Sequence, residues 1–142
     1  QKDYAEGSVK SYINGLIDSL SDLFFDKTKH TIETQLVDFK LPAGMLFPLG
    51  IIINELITNT MKYAFAGKTA GLISIVLTRT DNHVTLTIQD NGRGLPEDFT
   101  LEDAAGFGLT LVKMLSHQLA GSYTIENREE SGGTKSVLEF DV

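Results

Sequence analysis

Residues 83–96 read HVTLTIQDNGRGLP, and this stretch decides the fold. Apolar and polar residues alternate up to Asp90, which is the pattern of a β-strand with one buried face. An acid closes the strand, and Gly92 and Gly94 then follow one residue apart. Glycine tolerates positive φ and lets another group approach the backbone without a Cβ in the way. The stretch therefore predicts a strand that ends in a carboxylate beside a tight turn or a ligand.

The composition is that of one ordinary soluble domain. The chain has 142 residues, 42% hydrophobic and 22% charged, with a formal net charge of −7. This balance provides no broad basic surface, so we expect no nucleic-acid partner and no membrane contact by this domain. The absence of Cys excludes disulfides, thiolate metal sites and cysteine nucleophiles. No apolar run approaches the roughly 20 residues of a membrane span, and we expect a cytoplasmic domain of a soluble or membrane-anchored parent.

The hydrophobic periodicity predicts a two-layer architecture. Apolar residues recurring at three and four predict helices over residues 4–25, 45–65 and 107–120. Alternation predicts strands over residues 30–39, 72–80, 83–90, 122–128 and 134–142. Together they predict an α/β two-layer sandwich, in which a mixed, mostly antiparallel sheet of about five strands carries helices on one face.

The helix predicted over residues 45–65 carries a polar row. At about 100° per residue, Glu55, Asn59 and Lys62 fall within roughly 60° of one another, and apolar residues gather on the far side. A solvated helix face with charges for solubility would show the same pattern. Asn59 favours a functional interpretation, because asparagine is a poor helix former and stands here in the middle of the helix.

A second glycine motif precedes the last predicted helix. Residues 106–112 read GFGLTLV, and two glycines at a helix start leave its first N–H groups open to an anion such as phosphate. By itself this motif, like DNGRG, is compatible with an ordinary turn. The Asp90 carboxylate at the edge of the core can accept a charge-assisted hydrogen bond from a specific ligand group.

In this order and within one domain, the three motifs resemble the ATP-binding domain shared by gyrase, heat-shock chaperone ATPases, sensor histidine kinases and mismatch-repair ATPases. The resemblance covers nearly the whole chain and implies the Bergerat ATP-binding fold. It is closest to the catalytic domain of sensor histidine kinases, especially the subfamily with a second-type dimerisation domain. PLGIIINELITNTMKYAF resembles the N box, DNGRGLP the G1 box and GFGLTLVKMLSHQLAG the G2 box.

The resemblance implies where adenine and the metal would bind. Asp90 would accept a hydrogen bond from the exocyclic amine of adenine, near Thr134. Gly92 and Gly94 would let the nucleotide and a lid lie against the backbone. Asn59 would hold Mg²⁺ through its side-chain oxygen, a ligand suited to a hard cation.

The resemblance also implies how the phosphates and the reaction are handled. Lys62 would neutralise phosphate charge, and Tyr63 belongs to the same nucleotide-binding segment. Glu55 would be the catalytic acid that orients or deprotonates the attacking nucleophile. The cradle for the β- and γ-phosphates would be formed by Gly106, Phe107, Gly108 and Leu109. The lid between Gly94 and Gly106 would be short, with Phe99 as the candidate remnant of a phenylalanine box.

The implied reaction is transfer of the γ-phosphoryl group of Mg-ATP to a histidine on a dimerisation and histidine-phosphotransfer domain outside this chain. A response regulator would be the next acceptor. Residues 1–142 would form the catalytic domain, with residues 1–28 as a connector helix from that missing domain. Its own His30, His83 and His117 are expected to be ordinary surface or half-buried side chains.

Two other functions fit the same fold. A stand-alone serine kinase of the anti-sigma type has nearly this length, although MKYAF after Asn59 is more typical of a histidine kinase. A non-catalytic nucleotide-binding module is the other, and such a module would not need Glu55. A gyrase-type ATPase would need a longer lid and a transducer domain.

Overall fold

The computed structural model describes residues 6–24, 30–65, 70–95, 109–128 and 132–142. The elements in these ranges are, in chain order, β1 (Glu6–Ser8), α1 (Val9–Phe24), β2 (His30–Leu36), β3 (Lys40–Pro42), α2 (Ala43–Asn59), a π-helical turn (Thr60–Ala64), β4 (Gly71–Thr80), β5 (His83–Asp90), α3 (Leu109–Gln118), β6 (Ser122–Asn127) and β7 (Thr134–Asp141).

The main sheet has five strands in the order β2-β4-β5-β7-β6. β2 runs parallel to β4, and the other neighbouring pairs are antiparallel. This confirms the predicted mixed, mostly antiparallel sheet of an α/β sandwich. On the central strand β5, Val84, Leu86, Ile88 and Asp90 are all buried. Because side chains alternate between the two faces of a strand, the Asp90 carboxylate points to the same side as the core residues before it.

The helices supply the other half of the core. The buried apolar residues of α1 recur at three and four, and they are Val9, Ile13, Ile17 and Leu20. Helix α2 packs against both α1 and α3. At the α1 contact, a Cβ on Gly50 would collide with the ring of Tyr12, so a glycine in mid-helix lets the two helices approach closely.

The sequence analysis missed two short strands. It also placed the start of α1 too early. β1 pairs antiparallel with β3, and α1 begins at Val9 rather than at residue 4. The Ser8 hydroxyl accepts from the Ser11 N–H at 3.1 Å and donates to the Asp38 carboxylate at 2.7 Å. That second hydrogen bond lowers the pKa of Asp38. These exposed hydrogen bonds hold the start of α1 against the segment between β2 and β3, and the connection of α1 to a dimerisation domain stays a prediction.

The end of α2 differs from the uniform α-helix that was predicted. Its last turn is π-helical, with the Phe65 N–H donating to the Thr60 carbonyl five residues earlier at 3.0 Å. Single π-helical turns interrupt α-helices often at functional sites. The predicted alignment of Lys62 with Glu55 and Asn59 assumed an α-helix throughout, and that assumption was wrong from Thr60 onward.

Helix α2 and its continuation are also more apolar than the sequence analysis recognised. Residues Ala43–Lys62 are long enough to cross a membrane and reach a mean hydropathy of 1.2. Half of that window is buried inside the domain, as in the core helix of a soluble protein. The helix lies between α1 and α3, so its apolar composition is explained by packing on two sides.

Candidate functional site

A cavity lies where α2, the end of β5, the start of β7 and the start of α3 meet. It is lined by Leu56, Asn59, Thr60, Ile88, Asp90, Gly94, Leu95, Leu109, Ile125, Thr134 and Ser136. Its volume is about 50 Å³, room for roughly three to five water molecules or one edge of a flat ring. Apolar walls with a few placed polar groups are typical of small-ligand sites.

The Asp90 carboxylate is the buried charge of this cavity, with 3% of the residue exposed. Its Oδ1 accepts from the Gly92 N–H at 2.8 Å and from the Thr134 N–H at 3.3 Å. Its Oδ2 accepts from Thr134 Oγ1 at 2.5 Å and from Thr60 Oγ1 at 3.4 Å. Contacts of 3.3 and 3.4 Å are weak, so the carboxylate keeps acceptor capacity for a ligand donor.

Gly94 and Gly133 bring two loops into contact beside Asp90. Their φ angles are +82° and +90°, in the region that favours glycine. A Cβ on Gly133 would collide with the Asp90 carbonyl oxygen, and one on Gly94 would lie 2.7 Å from Asn127 Oδ1. The group that approaches the backbone at Gly94 is thus a side chain of the protein itself, although Gly94 also lines the cavity.

The end of β6 fastens the segment that follows β5. Asn127 Oδ1 accepts from the Leu95 N–H at 2.7 Å, and Asn127 Nδ2 donates to the Leu95 carbonyl at 3.4 Å. Arg128 Nη1 donates to the Asp90 carbonyl at 2.9 Å. Both residues were missed in the sequence analysis, because their partners lie 32 and 38 positions away in the chain.

Asn59 faces the cavity from the last α-helical residue of α2. Among the described residues, its Nδ2 is the buried side-chain polar atom without a hydrogen-bond partner. A buried amide left unpaired is destabilising, so the position fits a polar ligand that the described residues do not supply. Rotation of the amide by 180° exchanges its nitrogen and oxygen, and the oxygen is a ligand that Mg²⁺ accepts.

Glu55 and Lys62, the charged residues predicted on this helix, are not among the described residues that line the cavity. Glu55 is half-buried one helical turn before Asn59 and does not line the cavity. Lys62 is exposed in the π-helical turn. Tyr63 belongs to the same turn, and its side chain is outside the described part of the structure.

The third motif is described only at its end. Gly106, Phe107 and Gly108, together with Phe99, lie in residues 96–108, outside the described residues. Leu109 is the first residue of α3, is 2% exposed and lines the cavity. The structure therefore brings the start of α3 to the same cavity as Asp90 and Asn59.

Two hydroxyl residues of the cavity were missed as site residues. Thr60 lies on the apolar side of its helix, where it is buried, and its hydroxyl reaches Asp90. Ser136 follows Thr134 by two positions on β7, so both side chains lie on one face of the strand. A serine at a buried position among Leu138 and Phe140 was the signal that could have identified it.

None of the three histidines lines the cavity. His30 stacks on Phe65 with ring centroids 5.5 Å apart. His83 Nδ1 is 2.9 Å from Asp141 Oδ1, and its Nε2 is 2.9 Å from Glu139 Oε1. Hydrogen bonds to Glu139 and Asp141 raise the pKa of His83. His117 is exposed near the end of α3, so all three are surface or half-buried side chains.

Sequence comparison identifies relatives of the chain. The family described as "Histidine kinase-, DNA gyrase B-, and HSP90-like ATPase" matches residues 47–142. Sensor histidine kinase PdtaS of Mycolicibacterium smegmatis is 35% identical over 72% of the chain and 21% of its own length. Blue-light-activated histidine kinase 2 of Erythrobacter litoralis is 24% identical over 80% of the chain and 32% of its own length. The chain thus spans a third or less of these relatives.

Structural comparison points to the same fold. The histidine kinase domain of a blue-light-activated histidine kinase from Erythrobacter litoralis superimposes with a TM-score of 0.84 at 18% identity. The match covers 96% of this chain and 67% of the other. At this identity the likeness shows the fold alone.

Proposed function

Because the chain belongs to the family of histidine kinase-, DNA gyrase B- and HSP90-like ATPases, whose domain binds ATP, we propose that it is the catalytic domain of a sensor histidine kinase. It transfers the γ-phosphoryl group of Mg-ATP to a histidine on a dimerisation and histidine-phosphotransfer domain outside residues 1–142. The observation that carries the proposal is the buried Asp90 carboxylate, held by Thr134 in a cavity that Asn59 also lines. The named relatives are sensor or light-activated histidine kinases.

Asp90 recognises the base. Its carboxylate can accept from the exocyclic amine of adenine, and a hydrogen bond to a charged acceptor is roughly twice as strong as a neutral one. Guanine would bring a carbonyl oxygen to the same place, where it would face a negative charge. The apolar side chains of Leu56, Ile88 and Ile125 provide walls for a flat ring.

Asn59 and the start of α3 handle the phosphates. The side-chain oxygen of Asn59 would hold Mg²⁺, which when bound supplies positive charge that neutralises the phosphate oxygens. Lys62 adds a second positive charge from the π-helical turn, where Tyr63 also lies. The amides of Gly106, Phe107, Gly108 and Leu109 would cradle the phosphates at the N-terminus of α3.

Glu55 is the catalytic acid of the proposal. It lies one helical turn before Asn59 and is half-buried, so it is close to the residue proposed to hold Mg²⁺. From there its carboxylate orients or deprotonates the imidazole of the acceptor histidine. Most of the catalysis would come from positioning the two reactants and from stabilising phosphate charge.

The acceptor, the regulator and the location follow from the same proposal. The phosphohistidine would pass its phosphoryl group to an aspartate of a response regulator. The reaction requires ATP, so this domain would work in the cytoplasm whether the parent is soluble or membrane-anchored. The serine kinase of the anti-sigma type remains the alternative, since it would use the same cavity with a hydroxyl acceptor.

The acid stability of the phosphoryl group tests the proposal. The full-length parent is incubated with γ-labelled Mg-ATP, and the labelled protein is then exposed to acid and to alkali. We expect label that is lost in acid and kept in alkali, as for phosphohistidine. Label that survives acid indicates a hydroxyl acceptor and replaces the histidine-kinase proposal with the serine-kinase alternative.

A matched pair of variants of the parent separates catalysis from binding. Glu55→Gln should leave ATP affinity almost unchanged and lower phosphotransfer by about 100-fold or more, since the side chain keeps its size but loses its basicity. Glu126→Gln changes an exposed glutamate of β6 and serves as the control. Phosphotransfer by Glu55→Gln at the wild-type rate would show that Glu55 is not the catalytic acid.

A further inference from the structure

A second polar group borders the cavity and takes no part in the hydrogen bonds of Asp90. The Ser136 Oγ lies 2.8 Å from the hydroxyl oxygen of Tyr123. Ser136 is 5% exposed and Tyr123 is 7% exposed. Ser136 lines the cavity, whereas Tyr123 stands behind it on β6. The two hydroxyls therefore form a pair of which one member faces the ligand space.

The chemistry of the pair sets the direction of its hydrogen bond. Burial raises the pKa of Tyr123, so the phenol stays protonated. A phenol oxygen is a weak acceptor because its lone pair is delocalised into the ring, whereas a serine oxygen is a good one. Either hydroxyl could donate by geometry, and on this chemical ground we take Tyr123 as the donor, which leaves the Ser136 O–H available to donate toward the cavity.

Ser136 and Asp90 together present a donor and an acceptor to the same ligand edge. Adenine carries an exocyclic amine flanked by two ring nitrogens, N1 and N7, that accept hydrogen bonds. The amine would donate to Asp90, and a flanking nitrogen would accept from Ser136. Guanine carries a carbonyl oxygen in place of this amine, so it would present an acceptor rather than a donor to Asp90.

We propose that Ser136 is a base-recognition residue that donates to a ring nitrogen beside the amine of adenine, directly or through one water molecule. Tyr123 is the positioning residue that turns the Ser136 hydroxyl toward the ligand. The inference rests on the proposed binding of ATP in this cavity and adds a second point of base recognition to Asp90. A purely structural pair of buried hydroxyls would affect folding stability but not the choice among nucleotides.

Nucleotide analogues that lack one ring nitrogen test the proposal. Dissociation constants of ATP, 1-deaza-ATP and 7-deaza-ATP are measured by calorimetry for the wild type and for Ser136→Ala. We expect Ser136→Ala to weaken ATP binding about three- to tenfold, the effect of one neutral hydrogen bond. The analogue that lacks the contacted nitrogen should bind both proteins equally. Unchanged ATP affinity, or an equal loss for all three nucleotides, overturns the proposal.

Control variants separate this role from a structural one. Tyr123→Phe keeps the ring and should reduce ATP affinity less than Ser136→Ala does, with the same dependence on the analogue. Ser136→Thr keeps a hydroxyl and should restore part of the affinity. Ser74→Ala on β4, which does not line the cavity, should change no affinity. If Ser136→Ala fails to fold, Tyr123→Phe decides, and a loss that is the same for all nucleotides overturns the proposal.

The outcome also separates this inference from the proposed function. If the wild-type domain binds no ATP while remaining folded, the proposed function itself fails. If the wild-type domain binds ATP and Asp90→Ala weakens that binding, but Ser136→Ala has the wild-type affinity, only the role of Ser136 is overturned.

Discussion

The two ends of strand β5 hold charges in opposite environments. At its end, the Asp90 carboxylate is 3% exposed and accepts hydrogen bonds from Thr134, Gly92 and Thr60. At its start, His83 lies between Glu139 and Asp141, with 48% of its side chain exposed. The shortest contacts at the two ends are similar, 2.5 Å for Asp90 and 2.9 Å for His83.

The comparison shows that burial, rather than hydrogen-bond length, decides which charged side chain can recognise a ligand. Exposed ion pairs contribute little, because water screens them and two flexible side chains must be ordered. A buried carboxylate must be hydrogen-bonded, and any acceptor capacity it keeps is strong because water does not compete. The Asp90 end of β5 can therefore select a ligand, whereas the His83 end adjusts stability only slightly.

The largest difference between the two ends should appear on removing a carboxylate from each. Asp90→Ala should weaken ATP binding by about 1.5–3 kcal/mol, or roughly 10- to 150-fold, because a hydrogen bond to a charged group is lost. Asp141→Ala should leave the affinity unchanged, since that carboxylate is exposed. Calorimetric titration measures both, and equal affinities for Asp90→Ala and wild type would refute the adenine assignment.

The two threonines that hold Asp90 should differ in importance. Thr134→Val removes a 2.5 Å hydrogen bond and should destabilise the domain by about 1.5–3 kcal/mol. Thr60→Val should cost less, because its contact with Asp90 is 3.4 Å long and its hydroxyl also donates to the Leu56 carbonyl. Urea unfolding measures both, with Thr87→Val on β5 as the control. A larger loss for Thr60→Val would contradict the assignment of hydrogen-bond strengths.

Asn127 tests whether the loop beside Asp90 must be held. Asn127→Ala removes the hydrogen bonds to Leu95, which should weaken ATP binding about three- to tenfold. The reason is that Leu95 lines the cavity and would lose its anchor on β6. Asn82→Ala, at the exposed turn between β4 and β5, is the matched control. Equal effects of the two variants on affinity would mean that the anchor plays no part in binding.

The smallest effect is expected at the His83 end and depends on pH. The raised pKa of His83 means that the folded state binds the proton more tightly than the unfolded state. The resulting stabilisation is complete below the unfolded pKa of about 6.5 and is lost as pH rises through the higher folded value. His83→Asn should therefore lower the melting temperature slightly at pH 5.5 and not at pH 9, with ATP affinity unchanged. A melting-temperature loss confined to pH 9 would reverse the inferred sign.

The parts of the fold that were predicted correctly share a local origin. The strands β4, β5 and β7 have 10, 8 and 8 residues, and each has buried residues at every second position over most of its length, so the period is visible in the sequence. The strands β1 and β3 have three residues each, too few to show a period. The π-helical turn after Asn59 has no marker in its residue types and was not predicted.

The motifs predicted part of the candidate site. The residues of the site that lie outside the motifs were missed. Asp90, Asn59 and Thr134 line one cavity, as their motif positions implied. Asn127 and Ser136 belong to no motif, and each acts through a partner that only folding brings near. An asparagine at a strand end does not indicate a function, and the serine is distinguished only by its position on the apolar face of its strand.

The sequence by itself determined the elements and the chemistry available to them: a period-two strand ending in an acid, glycines where the backbone must turn, and an asparagine in an apolar helix. The tertiary structure alone decided what surrounds those groups. It buried Asp90 among hydroxyl and N–H donors, left Asn59 Nδ2 without a partner in the described part of the chain, and left His83 in water. The physical reason is that periodicity is a property of neighbouring residues, whereas burial and hydrogen bonding depend on residues distant in the chain.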